Sequence, residues 1–531
     1  AGDVNGDGYS DFVIGSRIYG GTGAAAVYLG GPYTMNLSPS RTWTGGTASD
    51  RLGQCVANAG DVNGDGYADA LIGAPFASNG QAGEGLVYFH TGSATGLSAL
   101  PVLTLETNIA GAQFGASVAT AGDVNGDGYA DVVVGAPQSS GTGRAYVYLG
   151  GPGGLAGAPA ITLNGSAASR FGQSVSTAGD VDSDGSADLL IGAPDISTVY
   201  LHLGTTTGLV AAPDLVITEA PLGNLFGTSV CTAGDVNGDG YSDVIIGAPS
   251  HSNGQAGEGG AFVYHGSITG LVTPWATRLE VNQVGANFGV SVANAGDVNG
   301  NGYFDVVVGA DLWESGQTDE GGAFLFYGAP SGVNTGGYTT VQRNVVDGRL
   351  GRSVSEGGDM NGDGYADIVV GGPLYESIVG EMDEGHVFVF RGSPTGLVTA
   401  TFDLIQLNVA GYQLGSSVSG GGDVDGDGYS DVLAGAPAAS PLFAQEGSAY
   451  WFRGNLARSL NRLTRQYDSD LVTPLSTNGN DWANPGFFGI GHRARSAIQR
   501  SDLRLRWEVV TEGIPYNASP LTTGSPPPGT R

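Results

Sequence analysis

Asp123-Val-Asn-Gly-Asp-Gly-Tyr-Ala-Asp131 decides the fold, because close copies of it recur along the whole chain. The first Asp of each copy falls at Asp3, Asp61, Asp123, Asp180, Asp235, Asp297, Asp359 and Asp423, at intervals of 55 to 64 residues. A fixed period of this size marks a repeat array. Around the same copy lie Phe114-Gly115, then Ala116-Ser-Val-Ala-Thr120, Val132-Val-Val-Gly-Ala-Pro137, Arg144-Ala-Tyr-Val-Tyr-Leu-Gly150 and Ile161-Thr-Leu163. These short β-branched or aromatic runs, bounded by Gly, Pro, Asn and Asp, read as four strands per repeat. No stretch offers a helical period of adequate length. The expected fold is all-β, a β-propeller of four-stranded blades whose radial sheets leave only short, protected edges. Eight blades are preferred and seven are possible, since the first repeat lacks the inner strand that precedes every other loop.

Composition excludes several classes. The 531 residues include 95 Gly without a three-residue period, so collagen is out and many tight turns are implied. With 40% hydrophobic residues the chain can build a core. No apolar run of about 18 residues occurs, so no direct membrane span is expected. A net charge of -31 argues against nucleic acid and anionic lipid as partners and favours cations. All 20 basic residues are Arg, for which there is no physical account. Cys55 and Cys231 fall in different repeats and read as two buried free thiols. No signal-type segment stands at Ala1, and any targeting peptide is expected to lie outside this sequence.

The nine-residue loop carries the chemistry. Asp at position 1, Asn or Asp at 3, Asp or Asn at 5, a backbone carbonyl at 7 and Asp at 9 offer a hard cation an oxygen cage, and Gly at 6 permits the sharp turn. The candidate ligands are Asp3, Asn5, Asp7, Tyr9 and Asp11; Asp61, Asn63, Asp65, Tyr67 and Asp69; Asp123, Asn125, Asp127, Tyr129 and Asp131; and Asp180, Asp182, Asp184, Ser186 and Asp188. The second half of the chain adds Asp235, Asn237, Asp239, Tyr241 and Asp243; Asp297, Asn299, Asn301, Tyr303 and Asp305; Asp359, Asn361, Asp363, Tyr365 and Asp367; and Asp423, Asp425, Asp427, Tyr429 and Asp431. Calcium, up to eight ions, suits this donor set better than magnesium, which wants strict octahedral geometry, or zinc, which wants Cys or His. Carboxylates at these positions make up 25 of the 51 acids. Left without ions they would repel one another, so the ions are expected to stabilise the fold. The loop at Asp297, with two carboxylates, is expected to be the weakest site, whereas those at Asp180 and Asp423 have four each.

An EF-hand begins in the same way but places a bidentate Glu at position 12 and flanks its loop with helices. Here position 12 is Ile14, Ile72, Val134, Ile191, Ile246, Val308, Val370 or Ala434, so each loop runs into a strand. A single such loop could be an ordinary Asp-Gly or Asn-Gly hairpin turn, but eight copies that keep the acid at position 9 are harder to explain by turn chemistry alone.

The flanking residues carry a family resemblance. Leu52-Gly53, Phe114-Gly115, Phe171-Gly172, Phe226-Gly227, Phe288-Gly289, Leu350-Gly351 and Leu414-Gly415 precede the loops. Gly-Ala-Pro comes after them at Gly73 to Pro75, Gly135 to Pro137, Gly192 to Pro194, Gly247 to Pro249 and Gly435 to Pro437. The pattern resembles FG-GAP repeats, which form the calcium-binding propeller of integrin α subunits and many bacterial surface proteins. It covers residues 1–454 and departs at Gly15-Ser16, at Gly309 to Asp311 and at Gly371 to Pro373, without touching the cage. The resemblance implies an extracellular or cell-surface scaffold for protein recognition, adhesion or assembly with other surface subunits. A carbohydrate-binding, lectin-like module is the alternative, and a lyase or phospholipase a more distant one.

In antiparallel four-stranded blades the loops joining strands 1 to 2 and 3 to 4 share one end, and the remaining connections share the other. A protein or glycan partner is therefore expected on the rim opposite the calcium loops, where Phe76, His251, Trp313, Glu314, Tyr375, Glu376, Tyr412 and Phe443 lie. Glu84, Glu258, Glu320, Glu384 and Glu446, each just before strand 3, read as turn or hydrogen-bonding elements. There is no phosphate loop and no His-Glu-x-x-His, and no catalytic residue is expected. Residues 455–514 read as a C-terminal β-rich segment or the start of a β-sandwich, with strands at Asp502–Val509 and, more weakly, at Leu471–Pro474 and Phe487–Ile490. The Arg cluster Arg493, Arg495, Arg500, Arg504 and Arg506 reads as a solvated strand face, with docking on an acidic surface as the alternative. Residues 515–531 read as a Pro-rich linker, with a weak glycosylation sequon at Asn517.

Overall fold

The computed structural model describes residues 2–454 apart from 33–37, 48, 167, 377–382, 408 and 440–446, and beyond them four two-residue strands. The chain divides into two units, Ala1–Ser459 and Leu460–Arg531. In the first unit, helix among the described residues is limited to three single 3-10 turns.

Blade 3 shows the pattern. Its strands Ser117–Gly122, Asp131–Ala136, Arg144–Tyr148 and Ile161–Asn164 pair antiparallel in chain order. Blades 2, 4, 5, 6 and 7 repeat this four-stranded order. Blade 1 (Phe12–Ser16, Ala24–Tyr28, Arg41–Thr44) and blade 8 (Ser417–Gly422, Asp431–Ala436, Ser448–Phe452) have three described strands each. In blades 2 to 7 each second strand is a run such as Asp131-Val-Val-Val-Gly-Ala136, buried at every position. A strand covered on both faces has no polar side to alternate with, which is why the sequence there is continuously apolar. Outer strands such as Leu215–Thr218 alternate, with Val216 and Thr218 exposed.

The core lies between adjacent blades. Leu71, Val87, Phe89 and Leu105 of blade 2 pack with Val132, Val134, Tyr146 and Tyr148 of blade 3, and Phe114 is inserted among them, wholly buried. Phe114 meets Tyr146 edge-on with ring centroids 5.4 Å apart. The two glycine motifs serve this packing. A Cβ on Gly135 would stand 2.1 Å from the carbonyl oxygen of Gly172 in the next blade, so neither backbone can retreat for a side chain.

The first and second strands of blade 3 shift register between Thr120 and Gly122, a bulge that recurs in blades 2 and 4 to 8. Such bulges bend a strand and re-aim the residues after it. Here each one sits directly before the acidic loop.

The blades form a closed ring of eight. The amide at position 8 of each loop donates to the carbonyl at position 1 of the preceding loop: Ala68 to Asp3 at 2.9 Å, Ala130 to Asp61 at 3.1 Å and Ala187 to Asp123 at 2.7 Å. The series continues through Ser242, Phe304, Ala366 and Ser430, and Ser10 completes it by donating to Asp423. This settles the count at eight blades. In blade 1 the inner-strand position is represented among the described residues by Gly2, bridged to Asp11.

Cys55 and Cys231 are free; each residue is partly exposed but packs against the core between blades, and burial pushes both thiols up. In the second unit, Gln466–Tyr467 pairs with Gly489–Ile490, and Arg506–Trp507 pairs with Thr522–Thr523. Gly489–Ile490 and Arg506–Trp507 coincide with two of the expected strands, and Thr522–Thr523 lies in the stretch read as a linker. Leu471–Pro474, Arg493, Arg495, Arg500, Arg504 and Asn517 fall outside the described residues.

Candidate metal centres on one rim

Backbone amides shape each acidic loop. In blade 3, Asp123 Oδ1 accepts from the amide of Asp127 at 3.0 Å and its Oδ2 from Gly128 at 2.7 Å. Asn125 Oδ1 accepts from the amide of Asp127 at 3.1 Å, and Asp127 Oδ1 from that of Tyr129 at 3.0 Å. The side-chain oxygens of positions 1, 3 and 5 are thereby each held by backbone amides of the same loop. In the two loops where position 3 is also an acid, carboxylates converge directly: Asp180, Asp182 and Asp188, and again Asp423, Asp425 and Asp431, each bring oxygens within 4.8 Å of one another.

Position 9 does something that its place in the motif does not reveal. Asp131 is fully buried, its Oδ2 accepting from the amide of Val124 at 2.9 Å and its Oδ1 from Gly150 at 2.8 Å. It ties the loop to the end of the third strand. The corresponding acceptors hold Gly30, Gly92, Gly204, Gly266, Gly328, Gly392 and Gly454. The glycine just past each third strand was the signal in the sequence: a Cβ on Gly150 would lie 2.4 Å from the carbonyl oxygen of Ala130.

Burial raises these carboxyls. Asp11 is pushed up to about 6, Asp69, Asp131, Asp243, Asp305, Asp367 and Asp431 to about 7, and Asp188 to about 8. Desolvation is the largest cause and the backbone amides oppose it, while neighbouring loop carboxylates such as Asp123 and Asp127 add to the rise at Asp131. A cation would relieve both the desolvation and the repulsion. In the last loop Asp423 Oδ1 is buried without a hydrogen-bond partner, an acceptor that an ion would satisfy. The donors are all oxygens, which fits a hard cation.

Two loops depart from the pattern in ways that carboxylate counting does not show. Asn301 turns its Nδ2 to the carbonyl of Gly328 at 3.0 Å, so loop 6 presents one oxygen fewer at position 5. In loop 8 the Nε of Arg453 stands 2.9 Å from Asp425 Oδ2, so an internal cation already sits beside the four acids.

The loops also touch one another. A Cβ on Gly64, position 4 of loop 2, would lie 2.6 Å from Cε1 of Tyr129, position 7 of loop 3. The same ring-over-glycine contact joins Gly6 to Tyr67, Gly238 to Tyr303, Gly300 to Tyr365 and Gly426 to Tyr9. Where Ser186 replaces the Tyr, the nearest atom to such a Cβ on Gly126 is 3.6 Å away.

On the opposite rim the expected aromatic residues are spread over separate blades and folded back. Phe76 lies under the guanidinium of Arg51 at 4.4 Å. His251 is buried, edge-on to Phe262. Trp313 is edge-on to Phe324, and Tyr375 packs on His386 and Phe388. Tyr412 borders the core of blades 7 and 8, Glu314 exchanges backbone bonds with the side chain of Gln283, and Glu376 is half-buried. Phe443 and Glu446 lie outside the described residues. Glu84 and Glu258 are fully buried and hold the amides of Asn79 and Asn253, the hydrogen-bonding role read from sequence.

Fold and loops define the class: a closed eight-bladed propeller with an acidic turn in every blade. The FG-GAP repeat model matches residues 56–90, 114–148, 171–202, 226–264, 350–389 and 414–450, and an FG-GAP-like repeat model matches 3–72. Integrin alpha-4 of Xenopus laevis is 34% identical over 204 residues, 36% of this chain and 19% of that protein. Integrin alpha-V of Gallus gallus is 35% identical over 214 residues, 38% of this chain and 20% of that protein. The chain thus spans about a fifth of the length of these relatives. Among solved structures, Saccharomyces cerevisiae Sqt1 aligns with a TM-score of 0.46 at 10% identity, covering 77% of this chain and 84% of Sqt1. The exotype rhamnogalacturonan lyase YesX aligns at 0.46 and 12%, covering 85% of this chain and 71% of the lyase. The chain is an integrin alpha-like FG-GAP repeat propeller.

Proposed function

We propose that the protein is an extracellular calcium-binding propeller that serves as a scaffold for recognition or adhesion of another macromolecule. The observation that carries this is the loop geometry. In each blade the side-chain oxygens at positions 1, 3 and 5 lie in one short loop fixed by its own backbone amides, next to a buried position 9 carboxylate, and in loops 4 and 8 three carboxylates converge within 4.8 Å. Calcium would be held by these groups, and when bound it supplies the positive charge that makes the deprotonated acids tolerable. Eight divalent ions would offset 16 of the 31 net negative charges. Sites of moderate affinity fill at the millimolar calcium outside cells. A ligand present at about 100 times its Kd stabilises the folded state by about 2.7 kcal/mol per site, so the summed effect is large.

The integrin alpha relatives support a protein partner, placed on the rim opposite the ions, where connections differ most between blades. Phe76, Trp313, Tyr375 and Tyr412, all half-buried rather than sealed, are the candidate contact rings. No catalytic role is assigned. The test is calorimetric melting with and without chelator. A fall of more than about 10 °C in Tm that calcium restores supports the reading, and an unchanged Tm removes it.

A further inference from the structure

Blades 2 and 5 share an identical octapeptide in the connection between strands 2 and 3, Ser78-Asn-Gly-Gln-Ala-Gly-Glu-Gly85 and Ser252-Asn-Gly-Gln-Ala-Gly-Glu-Gly259. Both copies fold alike. The amide of Gly85 closes the turn on the carbonyl of Ala77 at 3.0 Å, as Gly259 does on His251 at 2.9 Å. Each is fixed to the next blade by Phe114 or Phe288, whose amide donates to the carbonyl of Glu84 or Glu258.

Inside each turn is a carboxylate with no exposed surface, Glu84 or Glu258. One oxygen is satisfied by backbone: Glu84 Oε1 accepts from the amides of Asn79 at 2.7 Å and Gln81 at 3.3 Å. The other oxygen, Oε2, is buried with no partner in both copies, and so is the amide oxygen of Gln81 or Gln255. A second carboxylate stands one side chain away. Asn79 Nδ2 donates to Glu106 at 2.6 Å, and Asn253 Nδ2 to Glu280 at 2.9 Å.

Blade 7 supplies the contrast. There His386 Nε2 lies 3.2 Å from Glu384 Oε1 and 2.8 Å from Gln406 Oε1, so the equivalent acid has an imidazole of its own chain beside the oxygen that the backbone holds in blades 2 and 5. Among the described residues, neither Glu84 nor Glu258 has a basic side chain within ion-pair distance. A buried anion whose free oxygen meets neither a donor nor a counter-charge is costly, and each turn presents two such orphaned acceptors, both oxygen.

We propose that these two turns are a second type of cation site, on the rim opposite the acidic loops, with Glu84 Oε2 and Gln81 Oε1, and Glu258 Oε2 and Gln255 Oε1, as ligands. The donor chemistry is that of a hard cation, and calcium is the ion committed to. An ion there would stiffen the surface on which a partner docks, and it is independent of the eight loops.

The experiment is a crystal structure of the whole chain grown in millimolar calcium, with long-wavelength anomalous data to separate calcium from water. Anomalous peaks bonded to Glu84 and Glu258 are expected. Their loss in a Gln81→Ala/Gln255→Ala variant, with the Tm in chelator unchanged, would complete the case, because this variant leaves the backbone clamp on each Glu intact. Water without anomalous signal at both turns, or peaks that survive the double substitution, overturns the proposal. The acidic loops report separately in the same map. If they hold ions and the turns do not, only this inference fails; if the reverse, only the rim-loop reading fails.

Discussion

The amide of Ser10 donates to the carbonyl of Asp423 at 3.0 Å, the same bond that Ala130 makes to Asp61 at 3.1 Å within the ring. Blade 8 therefore meets blade 1 as any blade meets the next. A second bond runs beside it, from the amide of Gly31 to the carbonyl of Val424 at 2.9 Å. The joint is also packed, since a Cβ on Gly421 would strike the Phe12 ring at 2.6 Å. Hydrogen exchange checks this closure. The Ser10 amide is expected to exchange as slowly, within about tenfold, as the Ala130 amide. Exchange at the rate of a free loop would mean that the ring opens at this joint.

Acid should weaken the protein through His90. Burial holds its imidazole down at about 4, from an ordinary value of 6.5, and its Nδ1 pairs with the carbonyl of Ser98. The unfolded chain therefore takes up a proton at this residue near pH 6.5, whereas the folded one resists until about pH 4. Its contribution is fully present above pH 6.5 and is lost as pH falls toward 4. The size is on the order of 3 kcal/mol at the acid end. A His90→Gln variant is expected to show a shallower decline in stability between pH 6.5 and 4.5, measured by urea denaturation. An identical slope in both proteins would refute the assignment.

Much of this architecture is legible in the chain itself, and the reasons are local. The run Val132-Val-Val-Gly-Ala136 is buried on both faces and leaves no polar register to confuse the reading. The acidic loops are legible because their ligands sit within nine consecutive residues. Features that depend on distant residues are not. Arg453 beside Asp425 and Asn301 turned to Gly328 both join a loop to the end of the third strand, 28 and 27 residues on. The closure of the ring joins the two ends of the repeat array. Rim aromatics such as His251 were legible as residues of a connection, but not as buried ones, because the ring that covers His251 belongs to Phe262 on the next strand.

The ring-over-glycine contact between loops predicts an asymmetry. Gly64 and Gly126 both have positive φ, +74° and +68°, so Ala at either costs about 1 kcal/mol in backbone strain. At Gly64 the new methyl also meets Tyr129 at 2.6 Å, whereas at Gly126 it has 3.6 Å to Ser186. Gly64→Ala should therefore be the more destabilising by about 1 kcal/mol or more. Adding Tyr129→Ala should remove that excess, and chemical denaturation of the parent, Gly64→Ala, Tyr129→Ala and their double variant tests it as a double-mutant cycle, with Gly126→Ala as the comparison. Equal losses for the two glycine variants would dismiss the contact as an energetic link.

Loops 6 and 8 give a test in which ion binding and simple damage move in opposite directions. Asn301→Asp adds a carboxylate at position 5 but gives up the bond from Nδ2 to Gly328, worth about 1 kcal/mol. Without calcium the variant should melt lower than the parent, since a negative charge joins Asp297 and Asp305. With saturating calcium it should melt at or above the parent, because the ion gains a charged ligand. Arg453→Gln should act in the same sense at loop 8, where removing the guanidinium leaves Asp425 without its paired cation until an ion arrives. Calorimetric melts in chelator and in calcium supply the four comparisons. A variant that melts lower in both conditions by the same amount would show that its loop takes up no ion.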